Sequence, residues 1–201
     1  MARLALNKTT LSREVQQLKI FERFLPSLDL KRKQLLTERV KAAAALHRTE
    51  RELAPIDSLI TEQFPMASRE DVDLTGLVRI QSVTLDQENV VGVKLPVLRA
   101  LDIETLEYGL LGRPHWVDRL ARTLHDTIAL EIRLQVERRR LELLEVAVRK
   151  ITQRVNLFEK VLIPRARESI RRIRIYLSDT ERAGVVQAKI SKKKRAVQES
   201  A

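Results

Sequence analysis

The chain has no cysteine, few aromatic residues (3%), only five glycines in 201 residues, and no apolar run approaching 18 residues. Each shortage excludes something. Without cysteine there are no disulfides and no thiolate metal sites. Thick globular cores draw on aromatic area, whereas a seam between two helices can be filled with Leu, Val, Ile and Ala. Scarce glycine argues against an all-β or loop-rich fold. The missing apolar run leaves nothing long enough to span a bilayer as a helix, and the opening MARLALNKTTL has too short an apolar core for a signal peptide. Chemistry-bearing motifs are missing too. Neither GxxxxGK[ST] nor GxGxxG occurs, and no serine-centred nucleophile elbow is present. The three histidines, His47, His115 and His125, form no HExxH and no close pair. The many carboxylates alternate with Arg and Lys at helical spacing, which reads as solvated faces and i, i+4 pairs. No catalytic residue, cofactor site or metal site is expected.

What is present is charge and periodicity. Charged residues make up 32% of the chain, and the net charge is +11. Between Arg165 and Arg195, 11 Lys or Arg stand against Glu168, Asp179 and Glu181, so +8 of the +11 lies in that stretch. Such one-sidedness suggests an electrostatic contact surface; a solvated helix face with a frayed tail is the plainer alternative.

The organising stretch runs from about Pro114 to Arg182. Leu141, Leu144, Val148, Ile151, Val155, Phe158 and Leu162 recur at alternating steps of three and four, an a/d stripe that buries one narrow seam against another helix. A helix of about 70 residues reaches about 100 Å, which predicts a rod. The N-terminal part carries a matching stripe through Leu11, Leu18, Phe21, Leu25, Leu28, Leu35, Ala42, Leu46 and Leu53, interrupted by Glu14, Arg32, Arg39 and Thr49. One helix bent at Pro26 is expected from about Thr10 to Thr61, capped by Thr9 or Thr10, with Pro55 able to bend it again or to mark where its last turns separate. Between the stripes lie Gly76, Gly92, Gly109 and Gly112. There Val78, Ile80 and Val83 suggest one short strand, and Val91, Val93 and Leu95 another, with Leu85 to Glu88 between them in a hairpin. Leu101 to Leu111 suggests a short helix ended by Gly112, after which Pro114 suits the first turn of the long helix. Trp116 is expected to anchor packing between insert and coil.

The expected fold is therefore mainly α: a long antiparallel two-helix coiled coil with a small insert holding a β-hairpin that stands off the coil. Residues 1–63 form the first helix, 64–113 the insert, 114–184 the second helix, and 185–201 a basic tail ordered by a partner. Periodicity alone leaves a structural adaptor open, and basicity leaves a nucleic-acid-binding coiled coil open. Against the latter, no basic-region zipper layout appears and no aromatic interleaves KISKKKR to stack on bases.

Four segments together resemble one family. RVNLFEKVLIP (Arg154 to Pro164), with the basic stretch after it, is similar to the long second helix of the D subunit of the V/A-type rotary ATPases. LKRKQLL (Leu30 to Leu36) is similar to that family's LKxKRDxL signature. ENVVGVKLPVL (Glu88 to Leu98) resembles its NxxGVxLP segment through Asn89, Gly92, Val93, Leu95 and Pro96, and YGLLGRPHWVDRL (Tyr108 to Leu120) resembles its lead into the second helix. The chain departs from the family at Lys33-Gln34-Leu35, at residues 153–159 and in having Pro26. The resemblance, to a bacterial member, implies a non-catalytic central shaft that transmits torque between a ring of A and B subunits and a membrane ring moving protons or sodium. It implies the F subunit as a partner on the coil, a linking subunit at the insert end, no nucleic acid, no direct membrane insertion, and a cytoplasmic position peripheral to the membrane. It also implies roles for residues. Leu18, Phe21, Leu28 and Leu35 would form the seam with the second-helix stripe. Arg165, Arg167, Arg171, Arg172, Arg174, Lys189, Lys192, Lys193 and Lys194 would meet the ring, and Asn89, Gly92 and Pro96 would shape the insert.

Overall fold

The computed structural model describes residues 5–68, 74–105 and 114–199, without the side chains of Lys194 and of residues 196–199. The fold is mainly α. Helix α1 spans Lys8–Leu53 and α2 Ile56–Gln63, followed by a 3-10 turn at Pro65–Ser68. Strands β1 (Val78–Val90) and β2 (Val93–Thr105) form one antiparallel hairpin. Helix α3 covers Trp116–Leu157, a π turn Phe158–Leu162, and α4 Ile163–Glu199. The chain divides into two compact units, residues 1–30 with 151–201 and residues 31–150.

In the first unit the two helical segments run antiparallel. Lys8 pairs with Glu181 at 3.3 Å and Glu22 with Arg167 at 2.8 Å, so moving 14 residues up one helix moves 14 down the other. Phe21 and Phe158 meet edge to face with centroids 5.5 Å apart, an arrangement that suits the aromatic quadrupole. Asn7, not Thr9 or Thr10, caps α1: its Oδ1 accepts the Thr10 amide at 2.7 Å. Asn leads Thr as a cap, because its side-chain oxygen reaches the orphan amides of the first turn readily.

The stripe does not stay in one phase. Ile151 and Val155 are buried, but beyond the π turn the buried residues are Ile163, Ala166, Ile170 and Ile173, while Leu162 is only half-buried. Continued unshifted, the three-four pattern would bring Arg165 and Arg172 into the seam. A π turn holds one residue more than an α turn, and the Ile163 amide donates to the Phe158 carbonyl five residues back. That extra residue rephases the helix, leaving Arg165 and Arg172 exposed.

In the second unit the pairing is again antiparallel. The Thr49 hydroxyl donates to Glu137 Oε2 at 2.8 Å and lies 3.4 Å from the Ala45 carbonyl, which satisfies the one polar side chain buried among the described residues. Seven residues along each helix from that bond, Ala42 and Leu144 come level, both buried. The last turns of the first helix separate at Pro55, the second of the two outcomes expected there. Pro55 cannot donate to the ladder, so α1 stops at Leu53 and residues 56–63 form the separate α2. Pro26, by contrast, is carried inside α1.

The hairpin is longer than its sequence suggests, and its turn lies elsewhere. Leu85 to Glu88 is strand, paired with Leu98 to Leu95, and the chain reverses at Val91-Gly92. Both residues have positive φ, 53° and 85°, as a two-residue I′ turn requires. A β-branched residue at positive φ is an outlier, which is why Val91 reads as strand. Residues 101–105 continue β2 rather than opening a helix; the rest of that expected helix, 106–111, lies outside the described residues. Pro114 precedes α3 instead of entering its first turn, and its carbonyl accepts the Val117 amide at 3.0 Å.

The hairpin also packs on helices rather than standing off them. Leu77 and Leu95 are 2% and 0% exposed. Phe64, Leu77, Val117, Leu120 and Ala121 form one core cluster, with Trp116 and Val78 packed against it. Arg140 of α3 closes on Glu88 of β1 at 2.7 Å.

Candidate functional site

Among the described residues no group of three His, Cys, Asp or Glu could hold a metal ion, and no helix is long and apolar enough to cross a membrane. His47 pairs with Glu50 on its own helix at 2.9 Å and His125 with Asp126 at 3.2 Å, both in exposed positions. A groove of the second unit, between β2 and the helices, is lined by Lys41, Arg133 and Arg140 facing Glu38 and Glu137. Its charges are partly committed already: Lys41 to Glu38 at 2.8 Å, Arg140 to Glu88, and Glu137 to Thr49. A surface built on the helices offers the candidate site.

That surface is most developed along α4. Residues 179–193 are exposed at every position, including Val185, Val186 and Ile190 at 56%, 54% and 51%. The basic tail from residue 185 is the continuation of α4, which runs to Glu199. Arg165, Arg167, Arg171, Arg172, Arg174, Lys189, Lys192 and Lys193 are all exposed; the Lys194 side chain lies outside the described atoms. Arg167 meets Glu22, and Arg172 meets Glu168 one turn away. Arg165, Arg171, Arg174, Lys189, Lys192 and Lys193 have no carboxylate partner among the described residues. A helix with this much uncompensated positive charge carries a field that favours an acidic counterpart.

The seam residues fall into two grades. Leu35, Leu144, Ile151 and Val155 are buried; Leu18, Phe21, Leu28, Leu141, Val148, Phe158 and Leu162 are half-buried. Residues 8–30 of α1 bury nothing fully, so their partner helix supplies the closed side of that seam. Periodicity up to Leu162 missed Ile163, Ala166, Ile170 and Ile173. The signal for them was Arg165 and Arg172, two cations that a continued stripe would have forced inside.

In the insert, Asn89 Oδ1 accepts the Gly92 amide at 2.9 Å and so fastens the turn. Gly92 supplies the positive φ. Pro96 lies opposite Gln87 in β2 and lines grooves against both helices, beside Ala42 and Val136. An edge strand tolerates the missing amide there.

Comparison with known proteins matches this arrangement to one family. The family model for the D subunit of ATP synthase matches residues 10–193. The V-type ATP synthase D subunit of Borreliella burgdorferi is 33% identical over 199 residues, covering 96% of this chain and 95% of that protein. Those of Chlamydia muridarum and Chlamydia pneumoniae are each 32% identical, over 196 and 192 residues. They cover 96% and 94% of this chain and 96% and 91% of those proteins. With the match running through both long helices and the hairpin between them, the chain belongs to the family of ATP synthase D subunits.

Proposed function

We propose that this chain is the central rotor shaft of a V-type ATP synthase, carrying torque between the catalytic ring of A and B subunits and the membrane ion-translocating rotor. The observation that carries the reading is the nearly end-to-end correspondence with proteins named as the D subunit of V-type ATP synthases. The physical features support it. Antiparallel helices zipped along a seam resist bending without bulk. Charged outer faces turn against neighbours without locking, since exposed ion pairs contribute only about 0–1 kcal/mol each.

In this reading the chain has no active site of its own. The α4 surface from Arg165 to Lys194 enters the ring, with its cations facing acidic groups there. The F subunit clasps the helices, and the insert, shaped by Asn89, Gly92 and Pro96, docks on the subunit that joins shaft to membrane ring. The chain sits on the cytoplasmic side, peripheral to the membrane.

Co-expression with the A, B and F subunits of its own source tests the assignment. The wild-type chain is expected to co-purify with F and with the A/B hexamer. A variant carrying Arg165→Glu, Arg171→Glu and Arg174→Glu is expected to keep F and lose the hexamer. A wild-type chain that binds neither F nor the hexamer contradicts the shaft reading, and a reversed variant that still enters the hexamer contradicts the α4 contact.

A further inference from the structure

Two features of the first unit stand outside the contacts proposed above: Pro26 within α1 and the π turn before Pro164. Extended by four residues, the register set by Lys8–Glu181 and Glu22–Arg167 places Pro26 level with Ile163. Ile163 closes the π turn and Pro164 comes directly after it. Both helices therefore lose regular backbone hydrogen bonding at one level. Pro26 leaves the Glu22 carbonyl without its helical donor, and Pro164 leaves the Lys160 carbonyl without one. Both prolines are exposed, so water can take the freed carbonyls. Sharp bends in helices arise at proline and at π turns. Here one of each faces the other.

We propose that this level, Pro26 against residues 158–164, is a built-in compliant joint in the two-helix pair. An irregularity in one helix alone would kink that helix; with Pro26 in one helix and the π turn and Pro164 in the other, both ladders are freed at one height. The hydrophobic seam holds the pair together across the gap. Phe21 and Phe158 make an edge-to-face contact, which tolerates small rotations, and Ile163 and Ala166 resume tight packing immediately after it. Elastic take-up of twist is the mechanical use this would serve, and that use rests on the shaft reading. The joint itself does not.

Spin labels test it in the isolated full chain, because a chain without native cysteine accepts labels only where they are placed. Arg154→Cys with Arg174→Cys brackets the joint, and Arg119→Cys with Arg139→Cys brackets an uninterrupted stretch of α3 with the same spacing. All four positions are exposed. The distance distribution across the joint is expected to be about twice as broad as that of the control. Two variants then remove the joint. Pro26→Ala restores the donor in α1. Deleting exposed Lys160 together with Pro164→Ala returns the π turn to α-helical length, restores the missing donor in that helix and keeps Ile163, Ala166, Ile170 and Ile173 in phase. Together they are expected to narrow the distribution to the control width while the chain remains helical. Equal widths in the unaltered chain would overturn the joint. So would a breadth that survives either Pro26→Ala alone or the combined change.

Discussion

Leu144 and Val91 show how much one residue can decide. Leu144 is fully buried, level with Ala42. Leu144→Asp puts an unpaired carboxylate in the seam and adds a cavity, together costing about 3–5 kcal/mol. Arg149→Glu, on an exposed face, serves as the control. Circular dichroism should show the seam variant melting well below both wild type and control; coincident melts would mean that Leu144 is not seam. Val91 is held at φ 53°, where a β-branched side chain collides with its own backbone. Val91→Asn creates the Asn-Gly pair favoured in I′ turns and should stabilise the hairpin by about 1 kcal/mol. Slower amide exchange across β1 and β2 is the expected readout. Unchanged or faster exchange would show that Val91 is held there by a contact its geometry does not suggest.

At the scale of elements, the sequence made some boundaries plain and hid others. The two stripes announced both long helices, since apolar side chains at steps of three and four need a facing helix. Pro55 and Pro26 look alike in sequence, yet one ends a helix and the other does not. The difference lies in the residues downstream: after Pro26 the stripe resumes with Leu28 and Leu35, and seam burial outweighs one lost hydrogen bond. The hairpin turn was hidden because Val91 has the wrong chemistry for it, and Asn89, which fastens the turn, sits two residues earlier. The stripe beyond Leu162 was hidden because a π turn leaves no residue signature except the misfit cations it accommodates. The hairpin's packing was hidden as well, because Leu77 and Leu95 look like ordinary strand residues. Their burial changes what a deletion should do. Replacing residues 78–105 with a short linker removes buried Leu95 and strips Val78 from the cluster of Leu77, Val117 and Leu120, so the variant should melt lower and less cooperatively than wild type. An unchanged melt would restore the picture of a hairpin standing free.

For the whole molecule, the charge distribution and the exposed helical end belong together. Beyond residue 178 no side chain of α4 is buried among those described, and an isolated helix in water holds its shape poorly without a packed face. A surrounding ring would supply that face and meet the cations. The same region is where the shaft reading is most exposed to failure, and the absence of native cysteine makes it accessible. Val185 or Lys189, both exposed, can be changed to Cys and paired with a cysteine on a facing loop of the A or B subunits. A disulfide then ties this chain to the ring. ATP hydrolysis by the assembled soluble head is predicted to fall towards zero on oxidation and to return on reduction. Sustained multi-turnover hydrolysis with the crosslink complete would contradict rotation of this chain within the ring.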